Sequence, residues 1–126
     1  MTVAASEITT SVAHRDEITV LSVVGDIDVA SGPLFETVVA AVLAGDPIAL
    51  VIDLSNVDFL ATAGLRILAA THEKMTLAGG RFAVIADSPV TRRPLELTDL
   101  DQLFSLYRTL DDAITSLSKP QGTTTR

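Results

Sequence analysis

The chain has 126 residues, with 9 basic and 16 acidic side chains and a formal net charge of −7. This length is typical of one domain, and the negative charge argues against direct binding to nucleic acids or to an anionic membrane surface. The sequence has no cysteine, which excludes disulfides, thiol catalysis and cysteine-ligated metal centres. It also lacks a long apolar run and a secretory signal, so we expect a cytoplasmic protein.

The first predicted element follows a polar segment. Residues 1–6 and 118–126 are predicted to be flexible tails, and the domain is predicted to span residues 7–117. Residues 7–13 and 17–24 are rich in Val, Ile and Thr and flank a polar turn. This pattern predicts an antiparallel hairpin at the start of the domain.

The middle of the chain alternates between helical and strand patterns. Ser31 is predicted to be the N-cap of a first helix, which ends near Gly45. The continuous apolar run 48–52 predicts a central parallel strand that is covered on both faces, and residues 53–60 are predicted to be a connection. The apolar residues of segment 62–78 recur on one arc at 100° per residue, which predicts a second helix.

The last third of the chain repeats this alternation. Residues 81–86 are predicted to form a strand, and a third helix is predicted to begin near Thr91, because Pro94 is tolerated in a first turn. Residues 104–107 predict a short strand, and Thr109 is predicted to cap a final helix. The order ββαβαβαβα predicts an α/β fold with a mostly parallel sheet of about five strands, one of them antiparallel, and about four helices.

Partners and ligands of such sheets gather at the carboxyl ends of the parallel strands. The second predicted strand ends at Asp28, and the third leads to Thr62 at the start of the second helix. We therefore expect Asp28 and Thr62 to be neighbours at one rim. The hydroxyl of Thr62 suits either an ordinary helix cap or a phosphorylation site, where a phosphate would meet free backbone N–H groups and the positive end of the helix dipole.

Other polar side chains suggest less specific roles. A phospho-aspartate site needs a lysine at the end of the following strand, and none is present there, so turn and capping roles are predicted for the remaining acids. A partly buried helix position is predicted for His72. A solvated face is predicted for Arg92 and Arg93, which could also join a partner surface. No nucleotide-binding, nucleophile or metal motif is present, so we expect neither an enzyme nor a bound cofactor or metal. The acids to which these turn and capping roles are assigned are Asp26, Asp53 and Asp58.

One segment, Val51-Ile-Asp-Leu-Ser-Asn-Val-Asp-Phe-Leu-Ala-Thr-Ala-Gly-Leu65, resembles the signature of STAS domains. It is most similar to the anti-sigma factor antagonists of bacterial partner-switching systems, of actinobacterial type. The similarity extends over about residues 8–117. Further matching segments are Gly25-Asp-Ile-Asp28, Gly79-Gly80-Arg-Phe and Val90-Thr-Arg-Arg-Pro-Leu-Glu-Leu-Thr-Asp-Leu100.

The resemblance implies a regulatory binding protein. The sequence leaves open whether it is a monomer or a weak homodimer, since an edge strand could pair between chains. Antagonists of this family bind an anti-sigma factor that is also an ATP-binding kinase, and so release a sigma factor for transcription. Phosphorylation at the start of the second helix breaks the complex, and a phosphatase restores it. Thr62 matches the phosphoacceptor, and Asp28 matches an acid beside it. The partner surface implied in this way comprises Asp28, Ala61, Thr62, Ala63, Gly64 and Arg66.

The match departs from the family pattern on both sides of Thr62. The family usually has Asp immediately before the acceptor, where this chain has Ala61, and often Ser or Thr after it, where this chain has Ala63. The missing carboxylate would repel a phosphate and could orient the hydroxyl. Its loss predicts phosphorylation that is slow, performed by a different kinase, or absent.

Two other functions share the signature segment. A STAS subunit of a membrane lipid-transport ABC complex would bind an ATPase, and a sensory STAS module would bind a nucleotide or another small molecule. The match over residues 91–97 favours the antagonist over the transport subunit. The lack of a phosphate-binding loop disfavours the nucleotide sensor.

Overall fold

The computed structural model describes residues 8–118, so the two predicted tails lie outside the described residues except for Ser118. Within this range the order is ββαβαβαβα, as predicted. The strands are β1 (Ile8–Arg15), β2 (Ile18–Ile27), β3 (Ala49–Leu60), β4 (Arg81–Ile85) and β5 (Ser105–Tyr107). The helices are α1 (Gly32–Leu43), α2 (Thr62–Leu77), α3 (Pro89–Leu97) and α4 (Leu110–Ser118), with one 3-10 turn at Leu100–Gln102.

The strands form one mixed sheet in the order β1-β2-β3-β4-β5. β1 is antiparallel to β2, and the remaining neighbours are parallel, which confirms the predicted sheet. Helices α1, α2 and α3 cover one face and bury Phe35, Leu68 and Leu95 against it. Helix α4 covers the other face through Ala113 and Leu117. No helix of the described residues is long and apolar enough to cross a membrane.

The connection expected over residues 53–60 is wrong, because β3 continues as a strand to Leu60. Val57 and Leu60 are buried while the polar residues around them are exposed, so this half of the strand carries polar side chains towards solvent. Its partner is the end of β2, which runs to Ile27, beyond its predicted end at residue 24. β2 and β3 therefore extend beyond β4 and carry their ends away from the rest of the sheet.

The predicted start of α3 near Thr91 is also wrong. The helix begins at Pro89, and the hydroxyl of Ser88 accepts a hydrogen bond from the amide of Val90 at 3.2 Å. Pro94 therefore lies inside the helix rather than in its first turn. The amide that Pro94 lacks would have reached the carbonyl of Val90, and because Val90 is exposed, water can take its place.

Two smaller expectations are confirmed. The hydroxyl of Thr109 accepts a hydrogen bond from the amide of Asp112 at 3.1 Å, and α4 begins at the next residue after Thr109. His72 is half-buried, and its ring centroid lies 6.4 Å from that of Phe82 and 6.1 Å from that of Phe104. His72 is thus a packing residue of α2 beside an aromatic pair.

Candidate partner-binding site

The ends of β2 and β3 meet at one rim of the sheet. Ile27 is paired with Leu60 in the parallel register, and the amide of Ala61 donates a hydrogen bond of 2.8 Å to the carbonyl of Ile27. This bond joins the residues directly before Asp28 and Thr62. The expectation that Asp28 and Thr62 are neighbours at the rim is therefore confirmed.

Gly64 allows α2 to pack directly on the ends of these two strands. A Cβ atom at Gly64 would lie 2.7 Å from Cγ2 of Ile27 and 2.7 Å from Cδ1 of Leu60, closer than van der Waals contact permits. Any other residue would force either the helix or these two side chains to shift. Gly64 is itself buried, so it positions the surface around Thr62, and its inclusion in the partner contact stays a prediction.

The turn after β2 is fixed by reciprocal hydrogen bonds. The Asp28 carboxylate accepts from the amide of Ser31 at 2.9 Å, and the hydroxyl of Ser31 accepts from the amide of Asp28 at 3.0 Å. The same hydroxyl donates to the carbonyl of Asp26 at 2.6 Å. Ser31 does occupy the predicted N-cap position, but its side chain makes no cap hydrogen bond within the described chain. It stabilises the turn instead.

This geometry predicts different effects for two substitutions of Asp28. Asp28→Ala removes the acceptor of the Ser31 amide, and we expect it to lower the free energy of unfolding by about 1 kcal/mol. Asp28→Asn keeps an oxygen acceptor and should cost clearly less. Urea unfolding of both variants measures the difference. Equal losses in the two variants would show that the charge of Asp28, and not its hydrogen bond, stabilises the turn.

Thr62 is the first residue of α2, and its side chain is exposed. Ala61 occupies the N-cap position, with φ −88° and ψ 172°, so the interpretation of Thr62 as the helix cap is wrong. Within residues 8–118 the Thr62 hydroxyl makes no hydrogen bond, and α2 has neither a side-chain cap nor an acid in its first turn. Among the described residues, a hydroxyl without a hydrogen bond therefore lies at the positive end of a 16-residue helix.

A groove of about 470 Å³ lies beside Thr62, between the N-terminal halves of α1 and α2. The helices approach closely here, since a Cβ atom at Gly32 would lie 3.4 Å from Cβ of Ala63. Val29, which lines the groove, is 82% exposed although it is apolar. The groove is lined by small and apolar side chains together with one acid and one base: Val29, Gly32, Pro33, Glu36, Ala63, Arg66, Ile67 and Ala70.

Two of the six predicted site residues line this groove, and the other four lie at the adjoining rim or the start of α2. Ala63 and Arg66 line the groove, Arg66 is exposed, and it forms no ion pair with any residue that the structure describes. Sequence reasoning missed Val29 and Pro33. The available signal was the apolar Val29 inside a short polar turn, where a solvated residue would be usual.

The other candidate residues have local structural roles. The Asp53 carboxylate accepts hydrogen bonds from the amide of Ser55 at 2.9 Å and from its hydroxyl at 2.6 Å, which is the predicted turn role. Arg92 lies 3.3 Å from the carboxylate of Glu96 and donates to a backbone carbonyl at 2.7 Å. These residues do not line the groove beside Thr62.

The family model for the STAS domain matches residues 9–113. The chain belongs to the STAS domain family. Its sequence is 46% identical to the anti-sigma-F factor antagonist RsfB of Mycobacterium tuberculosis, over 90% of this chain and 93% of the relative. Its structure is similar to the crystal structure of an anti-sigma factor antagonist from Mycobacterium paratuberculosis, with 52% identity, a TM-score of 0.85, and coverage of 89% and 95%.

A structure with much lower sequence identity also shares the fold of this chain. The unphosphorylated form of the anti-sigma factor antagonist SpoIIAA matches with a TM-score of 0.71 at 15% identity, over 93% of this chain and 100% of that one. At this identity the match shows the fold alone. The resemblance first seen in residues 51–65 is thus confirmed at the level of the family and of the fold.

Proposed function

We propose that this STAS domain is an anti-sigma factor antagonist whose partner is an anti-sigma factor of the kinase type. The unphosphorylated protein binds this partner through the groove between α1 and α2, together with Asp28 and Thr62, and so releases a sigma factor. Phosphorylation of Thr62 ends the binding, and a phosphatase reverses it. Two relatives at 46% and 52% identity, both named anti-sigma factor antagonists, support this role.

The observation that carries the proposal is the free hydroxyl of Thr62 beside an exposed groove. In the described chain no structural contact accounts for this hydroxyl, because it neither caps α2 nor bonds to a neighbour. In phosphorylation, its oxygen bonds to the γ-phosphorus of ATP, the bond to the β–γ bridging oxygen breaks, and the hydroxyl proton leaves with a base. The structure leaves the oxygen accessible for this reaction.

A phosphate at Thr62 would be tolerated within the domain but not by the partner. It would carry nearly two negative charges, and the free N–H groups and dipole of α2 would stabilise them. Those charges would add to a chain whose net charge is already −7. A partner that covers the apolar groove would have to desolvate the phosphate, and this cost would weaken the complex.

The groove itself can be tested with a pair of equally exposed apolar residues. Val29 is 82% exposed at the groove, and Leu77 is 83% exposed at the far end of α2. We expect Val29→Asp to weaken partner binding at least about tenfold, because it places a charge in the contact, and Leu77→Asp to leave the affinity unchanged. Isothermal titration with the purified anti-sigma factor measures both. Equal affinities for the two variants would show that the partner does not bind at the groove.

The partner is identified by capture from lysate of the source cell, with immobilised wild type and mass spectrometry. An ATP-binding anti-sigma factor supports the proposal, and incubation of that protein with ATP should label wild type but not Thr62→Ala. Labelling that persists in Thr62→Ala would show that another residue is phosphorylated. Capture of a transporter ATPase instead would favour the lipid-transport alternative.

A further inference from the structure

β1 forms one edge of the sheet and has no strand partner on its outer side among the described residues. It pairs with β2 over all eight residues without a bulge and contains no proline. Residues 11–15 are exposed. Natural edge strands are usually shortened, bulged, charged or covered, because a long regular edge is a template for further strand pairing. The edge at β1 carries few of these devices.

The hydrogen-bonding groups that remain free follow from the hairpin register. Arg15 pairs with Ile18 across a two-residue turn, and this closing pair exchanges hydrogen bonds in such hairpins. Alternate residues of β1 then direct their N–H and C=O groups towards β2. The residues between them, Thr10, Val12 and His14, direct these groups outwards, and they are arranged symmetrically about Val12.

A second unpartnered feature lies on the same side of the molecule. A groove of about 460 Å³ separates β1 from the C-terminal half of α1, and most of its lining is apolar or small. Val12 belongs both to this groove and to the outer edge, and it is 47% exposed. The other lining residues are His14, Thr19, Thr37, Val38, Ala41, Val42, Gly45 and Pro47.

We infer that the occupant of this edge is a second copy of the same chain, related by a two-fold axis at Val12. With the axis perpendicular to the sheet, Val12 pairs with Val12 of the other copy, and Thr10 pairs with His14 in both directions. The outward groups of these residues then bond to each other. The same two-fold rotation leaves the grooves of both copies on one face of the combined sheet and brings them together. One contact between copies would therefore cover both the free edge of β1 and the groove beside it.

The distribution of charge favours this contact between two acidic copies. The chain holds 16 acidic residues, but β1 contains none and carries His14 and Arg15. The paired residues Thr10, Val12 and His14 therefore bring no acids together, although two copies with net charge −7 repel each other elsewhere. The nearest described acids, Asp16 and Glu17, lie in the turn beyond the strand. Because the strands run antiparallel, the rims that carry Thr62 point in opposite directions. Each copy can then bind its own partner.

The test uses the chain's lack of cysteine. Val12→Cys introduces the only thiol, and a hydrogen-bonded antiparallel pair places the two Cα atoms about 5.5 Å apart, within the range that a disulfide spans. Oxidation should give a disulfide-linked dimer of twice 13.3 kDa on non-reducing gels. Val24 is also 47% exposed but lies on β2, so Val24→Cys should not form this dimer.

Sedimentation equilibrium tests the association without a crosslink. Wild type should approach twice 13.3 kDa as concentration rises, and more readily at higher salt, which screens the repulsion between copies. Val12→Lys should remain a monomer, because it places two ammonium groups together at the axis, while Val24→Lys should associate like wild type. A wild type that stays monomeric at millimolar concentration would overturn the inference. Association that survives Val12→Lys would also overturn it, because the contact would then lie elsewhere.

Discussion

Thr62→Glu is expected to lower the affinity for the anti-sigma factor at least about 100-fold while slightly raising the stability of the domain. The glutamate places a charge beside the groove that the partner covers. The same charge lies at the N-terminus of α2, where the described chain provides no side-chain cap and no acid in the first turn. We expect about 0.5 kcal/mol of stabilisation from the helix dipole.

Affinity and stability are expected to change in opposite directions. A loss of binding caused by unfolding would instead lower both the affinity and the stability, so the experiment separates the two causes. Thr76→Glu is the matched control, since it makes the same change at an exposed position near the other end of α2. It should leave the affinity unchanged and should not stabilise the helix. Titration calorimetry and thermal unfolding measure the two quantities. A Thr62→Glu protein that binds as tightly as wild type would eliminate a charge switch at this residue.

Gly64→Leu is expected to lower the free energy of unfolding by at least about 2 kcal/mol, because even a Cβ atom would overlap Ile27 and Leu60. Leucine is a better helix former than glycine by nearly 1 kcal/mol, so intrinsic propensity alone predicts stabilisation. The sign of the measured change therefore separates tertiary packing from propensity. A melting temperature lower by about 6 °C or more would agree with the close approach of α2 to the strand ends.

Ala70→Leu is the control for this effect. Ala70 is an exposed residue of the same helix, so the added side chain meets solvent on one side, and the stability should change by less than about 0.5 kcal/mol. If Gly64→Leu were as stable as Ala70→Leu, the helix would have room to shift. In that case the distance between α2 and the end of β2 would not be fixed by this glycine.

The errors in the sequence interpretation come from positions where polar residues or proline have a local preference that another contact overrides. Residues 55, 56 and 58 are polar, which favours a connection, yet they belong to β3, because β2 continues alongside and pairs with residues 56, 57, 59 and 60 across two irregularities in register. Pro94 favours a helix that starts only a turn before it, yet Ser88 caps α3 earlier. In β3 the backbone partner is distant in sequence, whereas in α3 the decisive contact is a local cap that lies upstream of the proline.

The sequence by itself determined the order of the elements, the family, and the position of Thr62 at the start of a helix. These follow from apolar periodicity, from turn residues and from one continuous segment, 51–65, all of which are local in the chain. Only the tertiary structure decided that, among residues 8–118, the Thr62 hydroxyl makes no hydrogen bond, Val29 lines a groove, and the outer edge of β1 has no strand partner. Each of these depends on contacts between residues far apart in sequence. Apolar periodicity predicts secondary structure, but it does not predict which distant residues come into contact.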